Sequence, residues 1–362
     1  MLKLVEQIKQ NGLEFICNKY SITAKRHGKY DNLVLLKYDQ INSDPKLELV
    51  REARGIILDE ANDWKVVCYS YHRFANYGEG WAEEIDWHTA RAYEKLDGSL
   101  IQLYHYDGNW QVASSGMPDA AGQVNGFDKS FAELFWEVWN RLAYRLPLDT
   151  DKCYAFELMT KYNRVVVKHE EPRIVLHGAR RLSDLKELNP VIEAHNNGWE
   201  CVKIFPLNTI EEVIETANQL DPMKSEGYVV CDGKFHRVKV KSPSYVAMSH
   251  LKESVGMSGR QLLEIVRRNE SSEFLQYFPE FTNDFYEIKA KYEKLIGKIE
   301  GFIEATGHIE NRKEFAQVAK KVDYSSALFL VKFNGKDAKN CISDMPIKSL
   351  EKLLELKIED EV

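Results

Sequence analysis

The chain has 362 residues, of which 44% are hydrophobic and 29% charged, and its formal net charge is −7 at pH 7. This composition is typical of a folded globular protein and excludes a general polyelectrolyte binder, so any nucleic-acid partner has to be held by a local basic patch. No apolar run reaches the roughly 18 residues of a membrane span, and the charged N-terminus lacks the core of a secretory signal. Six scattered cysteines without a C-x-x-C pair predict free thiols in a reducing cytoplasm. The length predicts two domains.

Short β-rich runs separated by turn signals follow one another from about residue 50 to residue 250. Two pairs of runs surround Asp107-Gly108 and Asp232-Gly233 and predict hairpins, because Asp-Gly is a favoured turn dipeptide. The predicted strands and hairpin cover residues 54–59, 64–70, 99–106, 110–115, 153–159, 163–169, 173–181 and 226–242.

Helical periodicity appears between these strands, and after about residue 250 it is the only periodic pattern in the sequence. Residues 127–142 have helical spacing, and a second segment opens at Thr209 with Glu212 three residues on, which predicts a capping box. After about residue 250, apolar residues at three- and four-residue steps predict helices at 258–269, 281–303, 313–322 and 347–357. We therefore predict an α+β fold, with a mixed antiparallel-sheet domain at residues 1–249 and an all-helical domain at residues 250–362.

The first candidate for chemistry is Lys95, in the stretch YEKLDGSLIQLYHY at residues 93–106. Taken alone, a lysine two residues before Asp97-Gly98 is a solvated side chain at a turn. The chain's other two Asp-Gly pairs have no lysine at that position.

Five further charged residues stand at predicted strand ends or in predicted hairpins. Each alone has a structural explanation, since Lys-Val-Lys is the ordinary appearance of a solvated strand face and an isolated glutamate is usually an outward-facing one. Together they suit nucleotidyl transfer, because nearby cations lower the pKa of a lysine from about 10.4 and stabilise negative charge on phosphates. The carboxylates suit Mg²⁺, an arginine can grip a phosphate, and Gly98 lets a backbone approach the nucleotide. The five are Arg54, Glu157, Glu226, Lys239 and Lys241.

The order of these motifs resembles the covalent nucleotidyltransferases, which are the ATP-dependent ligases and the mRNA-capping guanylyltransferases. The amino-acid sequence in and around these motifs is most similar to ligases of the bacteriophage T4 RNA ligase 1 type, over roughly residues 50–250. The segments that carry this likeness are RGIILD, EKLDGSL, FELMTKYNRVVV and EGYVVCDGKFHRVKVKSPSYV.

The resemblance implies that residues 1–249 form an adenylyltransferase domain in which Lys95 takes AMP. It implies nucleotide or phosphate contacts for Arg54, Arg73, Glu157, Lys239 and Lys241, and metal contacts for Glu226 and Glu157. Two positions depart from the family pattern. Leu96 follows the lysine where the phage motif has an acid, and Arg73 stands at a basic position before an aromatic residue, where arginine changes the donor geometry. Asn163-Arg164 matches a pair that either contacts RNA or supports the fold.

The predicted function is an ATP-dependent RNA ligase that joins 5′-phosphate and 3′-hydroxyl ends through lysyl-AMP and an RNA-adenylate. A DNA ligase or a capping guanylyltransferase would have the same chemistry, but both usually append an OB-fold barrel where this sequence turns helical. An inactive RNA-binding adenylation fold would be expected to lose Lys95, Glu226 or Lys241.

The resemblance also implies cofactors and partners. It implies ATP and Mg²⁺, for which Mn²⁺ can substitute, and an RNA substrate that is single-stranded or a tRNA with a broken loop. The sequence has no Gly-x-x-x-x-Gly-Lys-[ST] phosphate loop, so a separate end-healing enzyme is expected. We further expect no membrane association, a monomer, a role for the helical domain in RNA specificity, and a location in the cytoplasm, including that of a phage-infected host.

Overall fold

Three β-sheets with helices on their faces build the first of two compact units, Met1–Ser249 and His250–Val362, in the computed structural model. The structure describes residues 1–124, 127–251, 259–268, 274–275 and 281–356. The α+β prediction is confirmed.

The first sheet is an antiparallel meander of four strands in sequence order. Its inner face packs against three N-terminal helices through buried Leu4, Ile8, Val34, Ile56 and Leu58. Its elements are α1 (Lys3–Asn11), α2 (Leu13–Tyr20), β1 (Ile22–Arg26), β2 (Leu33–Tyr38), α3 (Glu48–Glu52), β3 (Arg54–Asp59) and β4 (Lys65–Cys68).

The second sheet has the strand order β11-β10-β9-β7-β8, with β12 pairing parallel to β10. One face is covered by two helices, and the shared core contains Phe135, Trp139, Phe156 and Trp199. Its elements are β7 (Ser99–Tyr106), β8 (Asn109–Ser114), α4 (Phe131–Arg141), β9 (Lys152–Met159), β10 (Arg173–Arg181), β11 (Glu187–Leu188), α5 (Pro190–Asn197) and β12 (Glu200–Cys201).

The third sheet has the strand order β13-β6-β14-β15-β5. A helix covers it through Val213 and Ala217, which pack on Tyr228, Val230 and Val240. Its elements are β5 (Ala75–Asn76), β6 (Arg91–Lys95), β13 (Ile204–Phe205), α6 (Ile210–Asn218), β14 (Gly227–Cys231) and β15 (Arg237–Lys241).

The unit from His250 onward contains only helices among the residues that the structure describes there. Buried side chains on the longest helix recur at three- and four-residue steps, as predicted: Phe285, Ile288, Tyr292, Leu295 and Ile299. The helices are α8 (Gly259–Arg268), α9 (Thr282–Ala305), α10 (Arg312–Ala319), α11 (Ser325–Asn334), α12 (Ala338–Ser343) and α13 (Ile347–Leu353), while α7 (Pro243–Leu251) spans the division between the units. Of the helices predicted in this unit, residues 258, 269 and 357 lie outside the described residues.

Both predicted hairpins are present, as β7–β8 and β14–β15. The predicted strand at residues 163–169 is wrong, because this segment is a loop whose Val166 and Val167 amides donate to the carboxylate of Asp97 instead of a sheet. The helix predicted from residue 127 begins only at Phe131, because Ser130 caps it. All six cysteines are free thiols, and no helix within the described ranges is both long and apolar enough to cross a membrane.

Candidate active site

Lys95 ends strand β6 of the third sheet, just before the chain crosses to β7 of the second sheet. Its Nζ lies 2.7 Å from Oε1 of Glu226, and Nζ of Lys241 lies 3.7 Å from the same oxygen. Strand register explains the grouping, since Gly227 of β14 pairs with Lys95 on one side and Lys241 on the other. The structure therefore brings two of the predicted lysines, Lys95 and Lys241, to the carboxylate of a third predicted residue, Glu226.

The Glu226 carboxyl is almost fully buried. Burial raises its pKa, because desolvation disfavours the charged form, while the positive charges of Lys95 and Lys241 act in the opposite direction. A carboxyl with a raised pKa that contacts an ammonium group is well suited to accept a proton from it.

Two glycines allow the close approach of strands around this group. Gly227 has φ +147°, and a Cβ there would lie 2.2 Å from the Val240 carbonyl oxygen. A Cβ on Gly98 would lie 2.4 Å from the Leu158 carbonyl oxygen on β9. Gly98 thus serves the approach of the turn after Lys95 to β9, whereas the sequence suggested that it makes room for a nucleotide.

Asp97 anchors that turn, a role that the sequence reasoning missed although the residue lies in the motif. Its carboxylate is 4% exposed. One oxygen accepts hydrogen bonds from the amides of Val166 and Val167, at 2.8 and 2.6 Å, and the other accepts from the hydroxyl of Tyr245 at 2.8 Å. Asp97 therefore connects the loop at residues 160–169 and helix α7 to the turn that follows Lys95.

A cavity of about 460 Å³ opens beside Lys95, between the second and third sheets. More cations than carboxylates line it, and one part of the wall is apolar. This lining suits an anionic ligand of nucleotide size that also carries a flat apolar group. The cations are Arg54, Arg91, Lys95, Arg237, Lys239 and Lys241; the carboxylates are Glu94, Glu157 and Asp232; the apolar wall includes Tyr93, Leu96, Val202, Val229 and Phe235.

Two arginines of this lining contact the ring of Tyr71, each with its guanidinium carbon 4.7 Å from the ring centre. Arg237 forms a buried ion pair at 2.5 Å with Glu187, which also pairs with Arg180 at 2.7 Å. Arg54, in contrast, has a buried Nη1 without a hydrogen-bond partner in the described structure. A buried donor needs a partner, so the Arg54 Nη1 is suited to bind an anion in this cavity. The sequence reasoning missed Tyr71 and Arg237, since only the packing of two sheets brings them here.

Glu157 extends from β9 into the cavity, with Oε2 3.4 Å from Nε2 of His177. His177 in turn lies 2.9 Å from the Tyr71 hydroxyl through Nδ1. His177 was also missed, because a histidine inside a β-run carries no signal in the sequence.

Of the two carboxylates predicted for a metal, only Glu157 faces the cavity, while Glu226 is engaged by two lysines. Within the described residues no group of three or more His, Cys, Asp or Glu side chains could form a cage for a metal. Mg²⁺ fits this arrangement in its usual mode, with one or two carboxylates supplemented by water and substrate phosphates.

Two predicted residues lie away from this cluster. Arg73 does not line the cavity, and its guanidinium carbon lies 4.2 Å from the ring centre of Tyr38. Asn163 uses its side chain within the protein, donating to Ser99 Oγ at 2.9 Å and the Leu158 carbonyl at 2.7 Å. This geometry favours fold support for Asn163.

Comparison with known proteins gives relatives over the same region. One relative is a protein of Autographa californica nuclear polyhedrosis virus that is named as a bifunctional polynucleotide kinase/RNA ligase. It is 28% identical over 77% of this chain. The chain spans 42% of that relative's length. An RNA ligase of Rhodothermus phage RM378 is 27% identical, with 84% of this chain and 85% of the phage protein covered. Among solved structures, an archaeal ATP-dependent RNA ligase has a TM-score of 0.48 and 12% identity, covering 82% of this chain and 83% of its own.

The model of a family described as RNA ligase, of the T4 RNA ligase 1 type, matches residues 52–245. The match covers just over half of the chain, including Arg54 near its beginning, Lys95 and Lys241. The chain therefore belongs to the RNA ligase family of the T4 RNA ligase 1 type.

Proposed function

We propose that this protein is an ATP-dependent RNA ligase that joins 5′-phosphate and 3′-hydroxyl ends through a lysyl-AMP intermediate at Lys95. The observation that carries the proposal is the contact of Lys95 with the buried Glu226 carboxylate, next to a nucleotide-sized cavity rich in cations. Family membership supports RNA as the substrate.

The first step requires a neutral amine on Lys95. Glu226 lies within hydrogen-bond distance and takes one proton, which its raised pKa favours. The Lys95 nitrogen then attacks the α-phosphorus of ATP, a P–N bond forms, and the bond to pyrophosphate breaks. A second proton leaves the nitrogen to water or pyrophosphate, which completes the phosphoramidate.

Three other cations of the lining hold the triphosphate. Lys241 stays charged beside Glu226 when that residue takes the proton, so it can stabilise charge on the α-phosphate. Lys239 lies on the same face of β15 as Lys241. Lys239 and the buried Nη1 of Arg54 bind the remaining phosphate oxygens.

The apolar wall around Tyr93, Leu96, Val202 and Val229 receives the adenine base. Glu157 would hold Mg²⁺ together with phosphate oxygens, and His177 Nε2 lies 3.4 Å from its carboxylate. The metal, when bound, supplies positive charge that offsets the charge building up on the phosphates. Phosphate contact by Arg73 remains a prediction, because Arg73 packs on the ring of Tyr38 and does not line the cavity beside Lys95.

In the second step a 5′-phosphate oxygen of RNA attacks the α-phosphorus, the P–N bond breaks, and Lys95 regains its protons. In-line displacement places this oxygen opposite Lys95, where pyrophosphate left. The oxygen of a 3′-hydroxyl then attacks the 5′-phosphorus of the RNA-adenylate and gives its proton to water. The phosphodiester bond forms as the phosphoanhydride bond to AMP breaks and AMP leaves.

We infer a single-stranded end, or a tRNA with a broken loop, as the RNA. We further infer a separate enzyme for end-healing, a monomeric state and action in the cytoplasm of a cell or infected host. The family likeness supports an RNA end as the substrate.

Incubation with α-labelled ATP or GTP and Mg²⁺, followed by a denaturing gel, tests the nucleotide. Labelling from ATP alone is expected, whereas labelling from GTP alone would indicate a capping enzyme and no labelling an inactive fold. Ligation assays on 5′-phosphorylated single-stranded RNA, nicked duplex RNA and nicked DNA test the substrate. Sealing of nicked DNA in preference to RNA would contradict the proposal.

A further inference from the structure

Two aromatic rings stack where the loop at residues 160–169 meets the segment before α4, and one of the two rings is exposed. The rings of Phe127 and Tyr162 are stacked, with centres 3.7 Å apart and planes 9° from parallel. Tyr162 is 39% exposed, while Phe127 is partly buried against the core of the second sheet. A stacked pair that stays in contact with solvent is a ready platform for another flat ring.

Two lysines accompany these rings. Nζ of Lys161 lies 4.9 Å from the centre of Tyr162, and Nζ of Lys129 lies 5.5 Å from the centre of Phe127. Lys129 also forms an ion pair with Glu137, whereas Lys161 is exposed. In a chain of net charge −7, such a local combination of rings and cations is the arrangement that an anionic polymer with flat bases requires.

The loop that carries Tyr162 is fixed to the turn after Lys95, which contains Asp97 and Ser99. Asn163 donates to Ser99, and the amides of Val166 and Val167 donate to Asp97. Ser99 is four residues after Lys95, so the Cα atoms of the two residues lie at most about 14 Å apart. The rings are thus held at a set position relative to Lys95.

The same loop also lines a second groove, of about 330 Å³, which shares Lys95 with the nucleotide cavity. The exposed Lys168 and the partly buried His169 come from this loop, and Lys224 comes from the segment before Glu226. The groove also carries carboxylates, among them Glu170 and Glu171, so the exposed lysines at its edge are the groups that can contact phosphates.

We propose that the Phe127–Tyr162 pair, with Lys161, is a docking surface for a nucleobase of a single-stranded RNA end. One unpaired base stacks on the Tyr162 face over which Lys161 lies in the free protein, and the displaced Lys161 contacts the flanking phosphates together with Lys168. This inference rests on the proposed ligase function and adds the place where the RNA is held. Its consequence is that RNA capture and ATP chemistry depend on different residues.

The test compares wild-type protein with Tyr162→Ala and Tyr162→Phe. Phe15→Ala is the matched control, because Phe15 is also an exposed ring with a lysine, Lys19, 5.3 Å from its centre, but lies on helix α2. Affinity is measured from the fluorescence of a 5′-phosphorylated single-stranded RNA that carries 2-aminopurine near its 5′ end, and lysyl-AMP formation is measured with labelled ATP.

Tyr162→Ala is expected to weaken RNA binding about tenfold, equivalent to about 1.4 kcal/mol, and to reduce the quenching of 2-aminopurine, while lysyl-AMP forms at the wild-type rate. Tyr162→Phe and Phe15→Ala are expected to bind RNA within about twofold of wild type.

Three results would overturn the docking surface: wild-type RNA affinity in Tyr162→Ala, equal losses in Tyr162→Ala and Tyr162→Phe, or loss of lysyl-AMP formation in Tyr162→Ala. A wild-type protein that seals no RNA would instead contradict the proposed ligase function. The two failures are therefore distinguishable.

Discussion

Replacing Asp97 by alanine is expected to release the loop at residues 160–169 and helix α7 from the turn after Lys95. The buried carboxylate accepts three hydrogen bonds, from the amides of Val166 and Val167 and from the Tyr245 hydroxyl. A hydrogen bond to a charged group contributes about 1.5–3 kcal/mol, so the three together contribute about 5–9 kcal/mol. This sum is comparable to the whole unfolding free energy of a typical domain, about 5–15 kcal/mol.

The loss in Asp97→Ala can appear either as global unfolding or as local opening of the loop, since a segment can open at a lower cost than the whole unit. Urea unfolding measures the first, and hydrogen exchange at the Val166 and Val167 amides measures the second. Tyr245→Phe removes only one of the three bonds and is the graded control, with an expected loss of about 2 kcal/mol.

We expect Asp97→Ala to be either largely unfolded or to exchange both amides at close to the rate of an open chain. Lysyl-AMP formation should fall with it, because Lys95 lies two positions before Asp97. Unchanged urea midpoints together with protected amides at Val166 and Val167 would refute the anchoring role that the hydrogen bonds indicate.

Three other results are expected. Lys241→Ala should slow lysyl-AMP formation by at least about 100-fold and Lys241→Arg should recover part of it, whereas equal rates for wild type and Lys241→Ala would mean that β15 only presents a solvated face. Burial raises the pKa of Glu52 to about 7, so the folded protein binds an extra proton between about pH 4.5 and 7, and its unfolding free energy falls across that window as pH rises, by about 3 kcal/mol. Urea midpoints at both ends of the window should show this slope in wild type and lose it in Glu52→Gln; parallel pH profiles would contradict the assignment. A protein ending at Ser249 keeps every residue that lines the cavity beside Lys95, so it should still form lysyl-AMP, but its preference for tRNA over a plain single strand should weaken. Unchanged tRNA preference in that protein would place substrate choice in the first unit.

The parts of the site that the sequence could predict are those set by strand register. Lys95, Glu226 and Lys241 lie on or beside adjacent strands, and the alternation of side chains along β15 directs Lys239 and Lys241 to one face. Both hairpins followed from their Asp-Gly turns, because turn chemistry is local.

The parts that the sequence could not predict depend on long-range partners. Residues 163–169 have the β-branched composition of a strand, but Asp97 takes up two of their amides and the segment stays a loop. The contact of His177 with Tyr71 and Glu157 exists only because three separate segments meet at the cavity. Arg73 was placed by likeness alone, and its packing on Tyr38 could not be read from spacing.

The most direct test of the account is to locate the covalently bound AMP. Protein incubated with ATP and Mg²⁺ is digested at neutral pH, and mass spectrometry assigns the modified residue, with Lys95→Ala as the control. We expect a single acid-labile AMP adduct on Lys95 and none in Lys95→Ala, which should remain folded by circular dichroism. An adduct on another residue, or equal labelling of folded Lys95→Ala, would contradict the central claim.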